Sequence, residues 1–590
     1  MRTRVHLTDQ PTVPLRVPWY CRWKPLIWTG LAVLLLYGLG IGNHTLWGYH
    51  EPYVGGIIRE MASSRDFVVP TLNGRPYLEK PPLFYILGAL VCSTFGTFQP
   101  WALRLPSVLL AVATSVWVCF LGHRLSSVRA AHWAGFTLAT SFLFLEAGQT
   151  AVVDIALTAA VTFALGLALL VLVEPGYRRR WLPWFWLALG LTFLAKGVVG
   201  PVMVLAPLAL TLARQRDREL QRAFARWNWG VPAALLLAAG WVALLWARGG
   251  GAFLQEVFLN NSLGRYLQHP GWVPATGRLG EHVEPWYFYL LRLPVDVLPW
   301  FALWAAALAS ALPRRRGQHP SPRSYFLPLA FALNLLLFSC SQAKREVYLL
   351  PVLPATFLQL ALWLDQRVPR FRQRLDRPLS WALGCTLGLA GLLAAGFPWV
   401  LVREDGLAPR LAAPVTLLAL GLAAWAGFQL RRRDYPGAFR VAMLQWSLFL
   451  ALLLSFGVPA MDRRDWLPLV DPYRRAQALA QAGAGIACAG LSETQLGFAS
   501  LTFQRVLPTL ERPDQLKALL GQERPQVVLV EPRWWAAAQA AGVGGRVLPT
   551  AADALPPTRR DRAPVLVTNR DPDWASAGRT GAGRTGAGRP

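Results

Sequence analysis

A chain of 590 residues with 54% hydrophobic and only 15% charged side chains does not read as a soluble globular protein. Its formal net charge of +27 would suit nucleic acid, but the arginines sit in short clusters between apolar runs of about 17–25 residues, the signature of a positive-inside bias. That pattern excludes nucleic acid as a partner, and six scattered cysteines without a CxxC pair exclude a disulfide framework.

Taken in chain order, residues 1–25 carry Arg2, Arg4, Arg16, Arg22 and Lys24 and are expected in the cytoplasm. The run Leu26–Leu46 is long and lacks a small-residue cleavage site, so it reads as a retained span. A first outer loop covers 47–100. Within it, Leu83–Phe98 is short for a crossing and is expected to lie along or dip into the outer surface. That choice puts His123, Arg124, Arg129 and every later Arg cluster inside. Spans then follow near 101–121, 132–148, 156–173, 182–195, 198–213 and 230–247. After a long outer loop, Arg248–Pro285, further spans lie near 286–312, 326–341, 347–364, 380–402, 411–430 and 440–459.

The reading is a polytopic α-helical membrane protein with about 13 transmembrane helices over 26–460. Beyond Met461 the composition becomes that of a soluble chain. Residues 461–570 read as a small α/β domain on the outer face. Gly485–Leu491, Leu496–Arg505 and Gln526–Glu531 are expected as strands, Arg474–Gln481 and Pro513–Leu520 as helices. The Gly-rich tail 571–590 reads as disordered.

The chain writes Arg by default and has only five lysines among 59 basic residues: Lys24, Lys80, Lys196, Lys344 and Lys517. Three of them, Lys80, Lys196 and Lys344, fall at the outer membrane surface, with His50, Glu51, Glu79 and Asp154. Ionisable groups at that depth are costly unless paired or wetted, and mark a functional site. An ammonium is a compact, movable point charge for a phosphate. Local readings compete: Asp154 as a helix cap, Lys196 as a snorkelling anchor, Lys344-Arg345-Glu346 as a solvated cluster, Glu79-Lys80 as an ion pair in a turn. The convergence of several lysines on one face favours a diphosphate or phosphodiester ligand, with carboxylates to activate an acceptor.

Particular motifs then carry a resemblance. His50-Glu51-Pro52-Tyr53 followed by Ile57-Ile58-Arg59-Glu60-Met61 is similar to the acidic loop of polyprenyl-phosphate-sugar-dependent membrane glycosyltransferases. Pro70–Tyr85 looks like the signature of the branch containing 4-amino-4-deoxyarabinose lipid A transferases, distant relatives of the protein O-mannosyltransferases. Asp154, Leu194–Gly200 and Ser339–Pro354 fall where that pattern expects them.

The resemblance implies a GT-C type fold in the cytoplasmic (inner) membrane and a sugar donor on an isoprenoid phosphate. It implies a lipid or protein acceptor, surrounding membrane lipids and inversion at the anomeric carbon. It further implies that Lys80 and Lys196 bind the carrier phosphate, with Tyr348 and Lys344 or Arg345 helping, that Glu79 orients Lys80, and that Asp154 positions acceptor or sugar. One departure matters: His50 stands where the family has the first acid of a pair. Either His50 is the base, or Glu51 or Asp154 takes over, or the chain binds lipid-linked sugars without transferring them. A transporter is disfavoured by the lack of an internal repeat. His50, Glu51, Glu79 and Asp154 also admit a divalent metal, although their spacing fixes no ligand set; no other cofactor is implied.

Overall fold

The computed structural model describes residues 19–267, 271–272, 283–311, 322–367, 377–404 and 406–570. Helices dominate up to residue 481. α1 is Trp19–Gly38, α2 Glu51–Ser64, α3 Leu83–Phe95 and α4 Pro100–Leu125. α5 is Val128–Ala139, α6 Phe142–Gln149, α7 Asp154–Val173, α8 Arg178–Lys196 and α9 Val199–Gln215. Among the described residues, seven helices are long and apolar enough to cross a membrane, eight if one bent pair counts as a span. α7 is apolar all round, as a fully enclosed helix should be. It is buried along nearly its whole length against α4, α8 and α9.

α3 is 13 residues long. At 1.5 Å per residue that is about 20 Å, well short of a hydrocarbon core of about 30 Å.

The span expected near 132–148 is broken into α5 and α6. Thr140 and Ser141 turn their hydroxyls back onto the carbonyls of Phe136 (2.7 Å) and Leu138 (2.8 Å), which competes with the helix ladder. The indoles of Trp300 and Trp446 fasten the break by donating to Thr140 Oγ1 (3.0 Å) and Thr140 O (2.7 Å). The span expected at 286–312 is two helices, Phe288–Asp296 and Phe301–Ala311, bent by 119° where Pro299 interrupts the run. The outer loop expected from Arg248 begins later, because the helix Gly230–Leu254 continues as a π-helical stretch through Gly264. Residues 571–590, expected as a disordered tail, lie outside the described residues, as do residues 1–18.

After Leu467–Gln481 the chain forms a five-stranded mixed sheet. A small hairpin in the first loop supplies β1 (Thr71–Leu72) and β2 (Arg75–Pro76). The sheet then has β3 (Gly485–Ala489), β4 (Thr509–Leu510), β5 (Gln526–Val530), β6 (Arg546–Leu548) and β7 (Val565–Thr568) in the order β4-β3-β5-β7-β6. β3 is parallel to β4 and β5, and β7 is antiparallel to β5 and β6. The strand expected over Leu496–Arg505 is instead a helix, Glu493–Phe503. Ser492 and Gln495 cap its start reciprocally, a Ser-x-x-Gln pattern that decides the matter in favour of helix.

Candidate active site

The first loop is held by two carboxylates. Glu51 opens α2, and each of its oxygens takes two donors: Arg104 Nε (2.7 Å) and Ala151 N (2.8 Å) on Oε1, Arg104 Nη2 (2.7 Å) and Trp47 N (2.7 Å) on Oε2. Arg104 is fully buried on α4 and also donates to Ile41 O and Thr45 O. Burial alone would raise the Glu51 carboxyl, but the Arg104 guanidinium and the two backbone donors hold it below the usual carboxylate range. The catalytic carboxylate expected at Glu51 is therefore a buried anchor, its oxygens occupied by protein donors.

Glu60 performs the second tie. Asn73 and Gly74, both at positive φ, form the two-residue turn between β1 and β2 that an Asn-Gly pair favours. Glu60 accepts from Thr71 Oγ1 (2.9 Å), Asn73 N (2.7 Å) and Gly74 N (3.0 Å), and pairs with Arg59 at 3.1 Å. The hairpin thus hangs from α2 and delivers Tyr77, Glu79 and Lys80 to the site.

Lys80 and Lys196 line one cavity of about 90 Å³, together with Glu79, Asn261, Ser262, Tyr266, Ser341 and Tyr348. Lys196 ends α8, and its ammonium lies 2.5 Å from Asp154 Oδ1 and 4.2 Å from the Tyr348 ring centroid. Lys80 Nζ donates to the Tyr53 hydroxyl at 3.2 Å and sits 3.7 Å from Glu79 Oε1. Burial opposes the Lys80 charge, yet Glu79 and the surrounding phenols and Asp154 hold its pKa well above the ordinary lysine value. It is a cation at any physiological pH.

His50 precedes α2, with Nδ1 3.0 Å from the Tyr53 hydroxyl and Nε2 against Arg345 Nη2. A guanidinium only donates, so Nε2 is the acceptor and the proton belongs on Nδ1. Burial, then the charges of Arg345 and Lys80, pull the imidazole down to about 3. His50 is a neutral hydrogen-bonding group and a weak base. Lys344 stands apart from the cluster: its ammonium donates to the carbonyls of Glu284 (2.8 Å) and Ser341. The phosphate-binding role expected for Lys344 thus passes to a structural one, while Arg345 and Tyr348 do reach the cluster.

Among the described residues no group of three His, Cys, Asp or Glu side chains is placed to hold a metal ion, so the divalent ion admitted by the sequence has no ligand set there. The residues not anticipated are Tyr53, Tyr77, Asn261, Ser262 and Tyr266. The polar run Asn260-Asn261-Ser262 at the end of an apolar helix was the available signal for two of them.

The profile of the dolichyl-phosphate-mannose-protein mannosyltransferase family matches residues 79–246. An undecaprenyl phosphate-α-4-amino-4-deoxy-L-arabinose arabinosyl transferase of Pectobacterium atrosepticum is 30% identical over 440 residues, 72% of this chain and 74% of that protein. The chain belongs to this arabinosyl transferase family. A member of the same family from Pseudomonas paraeruginosa is 32% identical over 440 residues, 73% of this chain and 75% of that protein. The crystal structure of ArnT from Cupriavidus metallidurans bound to undecaprenyl phosphate superposes with a TM-score of 0.69 at 21% identity, covering 93% of this chain and 98% of that one. That likeness concerns the fold: the chain resembles the GT-C fold of that structure.

Proposed function

We propose that this protein transfers a sugar from a polyprenyl-phosphate carrier, such as undecaprenyl phosphate, to an acceptor at the outer face of the cytoplasmic membrane. The observation that carries the reading is the pair of lysine ammonium groups, Lys80 and Lys196, lining one small cavity. Each is tethered to a carboxylate, so the cavity keeps cations in place without a metal. A phosphate there would take charge-assisted hydrogen bonds from ammonium groups that the carboxylates already position, and be stabilised further as it departs with the bonding electron pair. Asn261 Oδ1 is a buried acceptor without a protein donor among the described residues, which suits a sugar hydroxyl.

The acceptor oxygen attacks the anomeric carbon from the face opposite the carrier. The new C–O bond forms as the bond to the carrier phosphate breaks, and configuration inverts. His50 is too weak a base to deprotonate an alcohol, and Glu51 is occupied. An acceptor that is already anionic, such as the phosphate of lipid A, needs no base. We therefore favour a phosphate acceptor, with Asp154 holding Lys196 in place. Some 13 spans, a cytoplasmic N-terminus and an outward C-terminal domain complete this proposal, supported by the Arg clusters and the short α3.

The test is release of free carrier phosphate from a polyprenyl-phosphate sugar by the purified protein. Turnover that collapses in Lys80→Ala and Lys196→Ala supports the assignment. Sugar-lipid binding with no turnover by the unaltered protein would leave only the alternative of a catalytically silent binder.

A further inference from the structure

The support behind the cavity is not built from the membrane helices alone. The helix Glu493–Phe503, from the far end of the chain, lies along α2 at backbone contact. A Cβ on Gly497 would come within 2.2 Å of the Pro52 carbonyl and 2.4 Å of Tyr53 N, and one on Gly56 within 3.0 Å of Gly497 Cα. Polar ties flank this seam: Arg59 donates to Ser500 Oγ (2.6 Å), Thr494 Oγ1 donates to Tyr49 O (2.8 Å), and Asn73 exchanges hydrogen bonds with Leu507 (2.8 and 3.1 Å). At the N-terminal end of the helix, Glu493 reaches the site. Its Oε2 lies 3.1 Å from the hydroxyl of Tyr77, a buried phenol that also meets Glu79 Oε2. Glu79 in turn holds Lys80. A chain of contacts therefore runs Glu493, Tyr77, Glu79, Lys80.

We propose that Glu493 is a positioning residue for the carrier phosphate: through Tyr77 it fixes Glu79, and thereby the place of the Lys80 ammonium in the cavity. The C-terminal sheet domain would thus complete the donor site. The physical reason is geometric. Lys80 ends four flexible bonds, and a phosphate site needs its cation held to within a fraction of an ångström. Glu79 can hold it only if Glu79 is itself held. The phenol has one proton to give: donated to Glu493, it leaves Glu79 to Lys80, whereas without Glu493 it turns to Glu79 and draws that carboxylate off the ammonium. This inference rests on the assignment of Lys80 to the carrier phosphate made above.

The experiment measures binding of undecaprenyl phosphate to the full-length protein in nanodiscs, with the thermal midpoint recorded for each variant. Glu493→Ala is expected to weaken binding about tenfold, and Glu493→Gln, whose amide oxygen can accept the same hydrogen bond, to restore it to within about threefold. Thr494→Ala, next on the same helix and tied to Tyr49 instead, is expected to leave binding unchanged. In a Lys80→Ala background the effect of Glu493→Ala should vanish, because it acts through that ammonium. If Glu493→Ala does not fold, Glu493→Leu, which keeps the side-chain bulk, serves in its place. Unchanged binding in both Glu493 variants that fold, or an equal effect in the Lys80→Ala background, would overturn the proposal. If Lys80→Ala alone leaves binding unchanged, the phosphate assignment fails instead, so the two failures are distinguishable.

Discussion

Each cavity lysine is held by a different kind of partner, and the differences set what substitution should do. Lys80 touches a phenol and a carboxylate, whereas Lys196 has a close ion pair with Asp154 and the face of Tyr348. Removing the Lys80 ammonium should lower kcat/KM for the donor by about a hundredfold or more, in the range seen when a preorganised electrostatic group is lost. Lys80→Arg should not rescue, since a planar guanidinium does not fit a seat built around a point charge; steady-state kinetics on both variants decides this. His50 makes the opposite prediction. Its folded pKa of about 3 lies below the unfolded value near 6.5, so its contribution to stability is complete above pH 6.5 and is lost as the pH falls toward 3. The thermal midpoint should fall on acidification from pH 7 to 5, and less so in His50→Gln. Activity should show no inflection from His50 between pH 5 and 8. An inflection that disappears in His50→Gln would restore the imidazole as base.

At the scale of elements, α2 is the piece on which the site depends, because Glu51 pins its start and Glu60 suspends the hairpin from its end. Breaking a buried ion pair by removing one partner costs about 3–5 kcal/mol, so Glu51→Ala should lower the thermal midpoint sharply and reduce the yield of folded protein. Much of the site was legible in the sequence. The Glu79-Lys80 pair, the isolated Asp154 and the lysine at a helix end were visible because ionisable groups stand out against apolar runs. The roles of Glu51 and Lys344 were not, because their partners, Arg104 and the carbonyls of Glu284 and Ser341, are distant in sequence or belong to the backbone. Local chemistry explains the errors of element type. The Ser492–Gln495 capping pattern and the Asn73-Gly74 turn were both present in the sequence. The break at Thr140–Ser141 needed Trp300 and Trp446, which hydropathy does not reveal.

At the scale of the whole molecule, the membrane region and the sheet domain meet along a seam of glycines rather than through a linker. Gly497→Leu should force that seam apart, because the first added carbon already meets the Pro52 carbonyl. Increased protease cleavage within residues 481–570, with the membrane helices intact, is the expected readout. Topology has its own check. A cysteine introduced as Gln99→Cys, between α3 and α4, should be labelled only from the outer side by an impermeant reagent. Labelling from the cytoplasmic side would show that α3 crosses and would invert every later span.

The contact between α2 and the helix Glu493–Phe503 also has a consequence for biosynthesis. The two partners are separated by more than four hundred residues, so the hairpin leading to Lys80 leaves the ribosome long before the helix that backs it exists. At about 5–20 residues per second, that interval is tens of seconds. Until the last part of the chain emerges, the nascent protein holds its lysines in an unfinished seat. A polypeptide released early, even with every membrane helix inserted, would lack the Glu493 carboxylate behind Tyr77.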